Sequence, residues 1–436
     1  MAGRGSAERP AQRVCRGTCQ AGARARRRVS DLQTVAAAAI FLLTYVVVAI
    51  GRAPGLRLDR AGAALVGASL MLAIGAVGLD RLAKAIDIPT LALLLGLMIV
   101  VGTLRLSGFF RLVNGWVVAR AHHPLQLLAA VIVSAGVFSA FLLNDAICLV
   151  MTPLVIDIAR RLRRDPVPYL LAVATAANIG STATITGNPQ NILIGSFSGI
   201  PYARFAAALS PVAALGLVLT FALVWLLHRS EFRRGDGFDA RPPPAHLHRP
   251  LAAKALTVTL AMVVAFFAGV PPAEAAVVAG GAMLLTRNVR SERIYYEIDF
   301  PLLLMFAGLF VVVAGFEKAI VSGEAVAAVA RLGLDRLPVL SAVTAVLSNL
   351  VSNVPAVLVL RPFVAAAGEP ERAWLAVAMA STLAGNLTIL GSVANLIVVQ
   401  IARRHGVTIG FWDYFRLGAP LTVLTILIGL CWLSWR

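Results

Sequence analysis

Charged side chains are scarce in this chain of 436 residues. Only 14% of the residues are Asp, Glu, Lys or Arg, against roughly 25% in a soluble domain, whereas 59% are hydrophobic. This composition excludes an ordinary water-soluble fold. Apolar runs of the ~20 residues that a helix needs to cross a ~30 Å hydrocarbon core recur along the chain. The sequence therefore predicts an all-α polytopic membrane protein.

Motifs for covalent or metal chemistry are also missing. Of the four cysteines, two lie in apolar segments and two in the N-terminal tail, without His or further Cys partners, which disfavours a disulfide framework or a zinc site. No nucleophile motif, metal-ligand cluster or phosphate-binding loop is present. We therefore expect neither an enzyme nor a resident cofactor, beyond Na⁺ or H⁺ as a coupling ion.

The net charge of +18 does not indicate nucleic-acid binding, because the Arg residues lie in short loops between apolar runs. Residues 1–30 form a basic stretch without the apolar region of a signal peptide, which predicts a disordered tail. Translation starting near Val29 is the alternative. The remaining Lys and Arg are more frequent in alternate loops, and the positive-inside rule places those loops, including the linker at 229–250, in the cytoplasm.

Ten segments are predicted to cross the membrane, in agreement with a plasma (inner) membrane location. They lie near 33–51, 62–79, 88–104, 168–186, 203–228, 251–268, 272–286, 299–315, 373–391 and 417–434.

An internal repeat emerges when the chain is aligned with itself. Three pairs of segments match in the same order, at offsets of 212, 209 and 204: 86–102 with 298–314, 139–153 with 348–362, and 184–194 with 388–398. The sequence thus predicts two repeats, 31–228 and 251–436. Such internal repeats are typical of secondary transporters and argue against a channel.

Each repeat contains an interrupted apolar segment. The arms 337–352 and 354–367 are only ~24 and ~21 Å long at 1.5 Å per residue, too short to span, so they predict a re-entrant hairpin with Asn353 at its tip. The matching segment 124–160 predicts a second hairpin with Asn144 at its tip, although its first arm alone is long enough to span. Each repeat then has five crossings, and the second must be inverted.

Polar residues interrupt the apolar sequence at four paired positions. Such breaks are tolerated in a membrane where they line a cavity or are buried in protein. The two hairpin tips and the two broken helices therefore supply the candidate ligands for substrate and ion: Asn144, Asp145, Thr186, Gly187, Asn188, Asn191, Ser352, Asn353, Gly391, Ser392 and Asn395. The alternative for each residue is ordinary hydrogen bonding between packed helices.

The strings NDAICLVMTPLVI, GNPQNILIG, SNVPAVLVL and GSVANLIV resemble the ion-transporter superfamily of arsenite permeases, citrate transporters and divalent-anion/sodium symporters. The resemblance covers roughly 33–434 and implies elevator-like transport domains, a homodimer, and Na⁺ bound near Asn144 and Asn353. Leu143, Asp145 and Val354 depart from the Ser-Asn-Thr tips of the dicarboxylate branch, and Asn-Asp looks closer to the arsenite permeases.

These patterns together predict a permease for a small anionic or neutral oxyanion solute, coupled to H⁺ or Na⁺. A Na⁺/H⁺ antiporter with Asp145 as the shared site is the alternative; a channel or an intramembrane enzyme is less favoured. A carboxylate near mid-membrane must be paired, ion-bound or protonated, so Asp145 is the candidate coupling residue. Capping of the second hairpin arm also explains its position.

Overall fold

The computed structural model describes residues 32–51, 55, 57–120, 122–233, 248–287, 289–320, 333–365 and 367–436. No β-strand occurs among them. The N-terminal tail, positions 234–247 of the linker and positions 321–332 lie outside the described residues.

Twenty α-helices make up the described regular structure, together with two single 3-10 turns. In chain order the helices are α1 Leu32–Ile50, α2 Arg60–Ala73, α3 Leu79–Ala85, α4 Ile88–Ser107, α5 Phe109–Arg120, α6 Pro124–Phe141, α7 Asn144–Arg161, α8 Pro166–Ser181, α9 Pro189–Ser198, α10 Tyr202–Leu227, α11 Arg229–Arg233, α12 Arg249–Phe267, α13 Pro272–Leu284, α14 Ser291–Tyr295, α15 Phe300–Ile320, α16 Leu337–Val351, α17 Asn353–Ala365, α18 Pro370–Ala384, α19 Val393–Arg404 and α20 Phe411–Trp435.

Proline begins many of these helices. Pro124, Pro166, Pro189 and Pro370 occupy the first turn, where the missing N–H costs no hydrogen bond and the fixed φ favours a helical start. These four prolines therefore mark where helices begin.

Seven described helices are long and apolar enough to cross a membrane. Six of them coincide with predicted spans, and the seventh is the first hairpin arm, α6. The other four predicted spans correspond to shorter helices: α2, α8, α13 and α18. Helices α8 and α18 are short because each ends just before a polar break, and the chain then resumes as a second helix, α9 or α19. The predicted spans end at these breaks because the run of apolar residues is interrupted there.

Contacts divide the chain into two compact units. The first comprises the described residues within Met1–Ile86 and Ala307–Ala325, and the second comprises those within Asp87–Phe306 and Val326–Arg436. This division differs from the predicted boundaries of the two repeats, and the repeats and their inversion remain predictions.

Small residues and stacked rings hold the first unit together. A side chain added at Gly308 would strike the backbone of Ala64, so α15 and α2 approach closely at this point. Phe41 of α1 stacks on Phe316 of α15 with ring centroids 4.0 Å apart.

The second unit contains both predicted hairpins and both broken helices. Helices α6 and α7 pack against each other, as do α16 and α17, and each pair is joined by only one or two residues. The second arms carry internal prolines at matching positions, Pro153 and Pro362. Each hairpin is followed by a helix, a 3-10 turn and a second helix: α8 to α9, and α18 to α19.

Candidate functional site

The two broken helices restart in the same way. Asn188 caps α9, its Oδ1 accepting the N–H of Asn191 at 2.9 Å. Ser392 caps α19, its Oγ accepting the N–H of Ala394 at 3.2 Å. Asn and Ser are preferred at this position because their oxygens satisfy N–H groups that the helix leaves open. Two of the predicted ligands thus also start a helix.

Asn191 and Asn395 brace the two breaks with matching hydrogen bonds. Asn191 Nδ2 donates to the backbone oxygens of Ser181 and Thr184, at 3.1 and 3.0 Å. Asn395 Nδ2 donates to those of Gly385 and Thr388, at 2.7 and 3.1 Å. The two asparagines are 204 residues apart, and so are their acceptors, Ser181 with Gly385 and Thr184 with Thr388; this is the offset of the third repeat match. Both side chains therefore hold the irregular backbone in place.

Gly187 and Gly391 permit this irregular backbone. A Cβ at Gly187 would collide with the carbonyl oxygen of Ser181, and one at Gly391 would come within 2.8 Å of that of Gly385. These glycines therefore shape the breaks by allowing a close backbone approach.

Hydrogen bonds also cross from one predicted repeat to the other. Ser392 Oγ donates to Asn178 Oδ1 at 3.1 Å. Asn188 Nδ2 donates to Thr382 Oγ1 at 3.2 Å. At the offset of 204, Asn188 matches Ser392 and Asn178 matches Thr382, so each repeat contributes the same kind of contact to the other.

Asn178 is the centre of this network. Its Nδ2 donates to Asn386 Oδ1 and to Asn395 Oδ1, both at 3.0 Å. Its Oδ1 accepts from Ser392 and, at 3.0 Å, from Asn144 Nδ2 at the first hairpin tip. The amide thus makes all four hydrogen bonds available to it. It joins the first tip to both broken helices.

Sequence analysis did not single out Asn178 or Thr382. The third repeat match begins at 184 and 388; extending it six residues toward the N-terminus pairs Asn178 with Thr382. A pair of polar residues in two strongly apolar segments is the signal that identifies them.

Thr186 has a different environment from the other candidates. Its hydroxyl lies 2.8 Å from that of Tyr202 at the start of α10. This hydrogen bond joins the first break to α10.

The second tip has a strained backbone, with one amide side chain at the tip and a second one turn before it. Ser352 has φ +77°, a region that non-glycine residues rarely adopt. Asn353 begins α17 and is 9% exposed. Asn349, one turn before the tip, donates to the carbonyl oxygen of Ala384 at 3.0 Å. At the offset of 209, Asn349 matches Ala140 and has no amide counterpart in the first repeat.

Three buried amide oxygens have no hydrogen-bond partner among the described residues. They are Oδ1 of Asn144, Asn349 and Asn353. Leaving a buried acceptor unpaired costs about 1–3 kcal/mol, so such atoms mark positions where a donor or a cation is expected to bind.

Asp145 faces a cavity of about 130 Å³ beside the first tip. The cavity is also lined by Pro189 and Val393, the first residues of α9 and α19, and by Asp299. Asp145 lies in the first turn of α7, where the helix dipole favours a negative charge.

A salt bridge lines the same cavity. Arg105 at the end of α4 and Glu297 are 2.7 Å apart, and both line the cavity. A Cβ at Gly102 would lie only 2.6 Å from the Cβ of Glu297, so the glycine leaves room for Glu297 to pair with Arg105. Asp145 therefore shares the cavity with two carboxylates and one guanidinium.

The citrate transporter family model, CitMHS, matches residues 45–384. The chain belongs to this family. It is therefore an integral membrane transporter of the predicted superfamily, and the predictions of a polytopic helical membrane protein and of its family are confirmed. Family and relatives are transporters, which supports the expectation that the chain is not an enzyme.

Two relatives extend over most of the chain. The silicon efflux transporter LSI3 of Oryza sativa subsp. japonica is 29% identical over 86% of this chain and 93% of its own length. The 46 kDa membrane protein of Mycobacterium leprae is 29% identical over 91% of this chain and 97% of its own. A plasma-membrane location agrees with the bacterial membrane protein.

The fold is shared with a solved transporter. The YdaH transporter of Alcanivorax borkumensis superposes with a TM-score of 0.59 at 17% identity, covering 93% of this chain and 98% of that one. At this identity the similarity concerns the fold alone.

Proposed function

We propose that this family member is a secondary active transporter of small oxyacids, coupled to H⁺ or Na⁺. The observation that carries the proposal is the set of three unpartnered amide oxygens, on Asn144, Asn349 and Asn353, next to a network without charge. None of the described residues that form hydrogen bonds within the network is Lys or Arg.

The unpartnered oxygens favour a solute that donates hydrogen bonds. A small oxyacid carries several hydroxyl groups around one central atom and can donate to more than one amide oxygen. A fully ionised tricarboxylate presents mainly acceptors and several negative charges. Without a basic partner those charges would be costly to bury, so the network fits citrate less well than an uncharged or singly charged oxyacid.

Helix N-termini supply the complementary interaction. Helices α7, α9, α17 and α19 all begin at the four breaks. Their open N–H groups and the positive ends of their dipoles attract the oxygen atoms of a solute. The four breaks thus offer acceptors for the hydroxyl groups and donors for the remaining oxygens.

We propose that the coupling ion binds at the same tips and breaks. Amide and backbone carbonyl oxygens can hold Na⁺, which the resemblance implies near Asn144 and Asn353. Asp145 beside the cavity is the candidate proton or Na⁺ site. Elevator-like movement and a homodimer rest on the resemblance.

A Na⁺/H⁺ antiporter remains the second candidate. It is favoured by the acidic lining of the cavity, where Asp145, Glu297 and Asp299 lie around a single Arg105. In that case Na⁺ alone would exchange for protons and no oxyacid would be transported.

Uptake into proteoliposomes tests both functions. Arsenite, silicic acid, phosphate, sulfate, citrate and ²²Na⁺ would be offered in turn, with Na⁺ and pH gradients imposed separately. We expect gradient-dependent transport of arsenite or silicic acid and none of citrate. Transport of citrate alone would contradict the oxyacid proposal, and ²²Na⁺ movement driven by a pH gradient without solute would establish the antiporter.

A further inference from the structure

Three cationic side chains meet at one cavity of the first unit. Arg81 and Lys84 of α3 and Lys318 of α15 line a cavity of about 400 Å³. Small apolar residues form the rest of its lining: Ala76, Val77, Ala85 and Ala314. The cavity shares no residue with the proposed transport site, all of whose residues belong to the second unit.

Backbone geometry fixes Lys318 at this cavity. A side chain at Gly315 would come within 2.8 Å of the sulfur of Met71, so α15 lies close against the end of α2. That end is closed by Gly75 at φ +69° and by the N–H of Ala76, which donates to Met71 O at 3.0 Å. Lys318 Nζ then donates to Ala76 O at 3.1 Å.

The positive charge at the cavity is poorly neutralised by the described residues. Lys318 Nζ is bonded to a neutral carbonyl. Arg81 lies 3.8 Å from Asp80, and the two side chains are 65% and 80% exposed. Such an exposed pair contributes little. No carboxylate appears among the described residues that line the cavity. An anionic ligand in the cavity would therefore interact with three cationic side chains, and no carboxylate among the described lining residues would repel it.

The cavity lies at one end of a membrane span. Lys318 is the last residue of the apolar segment Phe300–Lys318, which is long enough to cross the hydrocarbon core. Leu79, the first residue of α3, is 78% exposed. An exposed Leu beside cations is typical of a short helix in the membrane interface, where the apolar group enters the lipid and the cations reach the headgroups.

We propose that this cavity binds the phosphate of an anionic phospholipid headgroup. Two ammonium groups and a guanidinium can form charge-assisted hydrogen bonds to phosphate oxygens, and the apolar lining suits the glycerol and the first part of the acyl chains. Basic pockets between membrane helices are a recurrent way of holding acidic lipids. The site would attach the first unit to the bilayer by a specific lipid.

Native mass spectrometry of the detergent-solubilised full chain tests the proposal. Phosphatidylglycerol, phosphatidylcholine and inorganic phosphate would be added separately to the native protein and to an Arg81→Gln/Lys84→Gln/Lys318→Gln variant. An Arg403→Gln/Arg404→Gln/Arg416→Gln variant removes the same number of exposed positive charges elsewhere. The melting temperature in phosphatidylcholine would show that each variant is folded; if the triple variant is not, Arg81→Gln/Lys84→Gln, which leaves the helix contact of Lys318 intact, takes its place.

We expect the native protein and the control variant to retain phosphatidylglycerol in preference to phosphatidylcholine. Since each basic residue near an acidic lipid surface contributes about 1 kcal/mol, the cavity variant should bind phosphatidylglycerol at least about tenfold more weakly. Equal retention by cavity and control variants would overturn the proposal. So would inorganic phosphate displacing phosphatidylglycerol at equal concentration, because the ligand would then be free phosphate.

Discussion

Asn178 and Asn395 are 217 residues apart in the chain, and the side-chain amide of the first donates to the side-chain oxygen of the second at 3.0 Å. This contact joins the helix before one break to the helix after the other. The same Asn178 also accepts a hydrogen bond from Asn144 at the first hairpin tip. The candidate site is therefore one connected structure to which both predicted repeats contribute.

Replacing the central amide should disrupt this structure. Asn178→Ala leaves four buried partners without their hydrogen bonds, at about 1–3 kcal/mol for each group that finds no replacement. We expect a marked fall in melting temperature and no transport. Thr175→Ala is the matched control on α8, because Thr175 bonds only to carbonyls of its own helix. Similar melting temperatures for the two variants would show that the network is not important for stability.

The strained backbone at the second tip predicts a stabilising substitution. A non-glycine residue in such a conformation costs about 1–3 kcal/mol. Ser352→Gly removes this cost and should raise the melting temperature, by the equivalent of about 1 kcal/mol after the added chain entropy of glycine. Ser341→Gly, within helix α16, should lower it by a similar amount. A fall in melting temperature for both variants would contradict the strain.

The sequence predicted the positions of the breaks because polar residues in apolar segments are conspicuous. The hairpins and the broken helices are found where Asn144, Asn353, Asn188 and Ser392 indicated them. Sequence analysis predicted that these two helices are broken, but the predicted spans 168–186 and 373–391 end at the breaks, so the lengths of the second halves, α9 and α19, were not predicted.

The partners within the site could not be read from composition. Asn178 looks like any isolated polar residue in a helix, and only the folded chain shows that its four hydrogen bonds reach the first hairpin tip, the break after α18 and the start of α19. The strain at Ser352 likewise depends on the backbone conformation, which residue type does not reveal.

Asp145 should determine how transport depends on the ion gradients. Asp145→Asn keeps the size of the side chain and removes its titratable charge. We expect this variant to bind substrate but to lose accumulation driven by H⁺ or Na⁺. The control is Asp157→Asn on the same helix, whose carboxylate pairs with Arg161 at an exposed position. Unchanged dependence of Asp145→Asn on both gradients would exclude the coupling role and favour the helix-dipole role.

Thiol labelling tests the predicted orientation. In a chain without its native cysteines, Gly237→Cys lies in the predicted cytoplasmic linker and should resist impermeant reagents in whole cells. Gly368→Cys lies in the exposed loop before α18 on the opposite predicted side and should react. The reverse labelling pattern would show that the orientation in the membrane is opposite to the predicted one.

The most direct test of the account is solute uptake by variants of the two hairpin tips. Asn144→Ala and Asn353→Ala each remove one unpartnered amide oxygen, and proteoliposomes would be assayed for gradient-driven arsenite uptake. Thr344→Ala serves as the control, since its hydroxyl bonds only to Leu340 O within α16. If the paired breaks form the binding site, both tip variants remain folded but lose uptake, by at least about tenfold for ~1.4 kcal/mol of lost binding, while the control transports normally. Near-normal uptake by both tip variants would contradict the central claim.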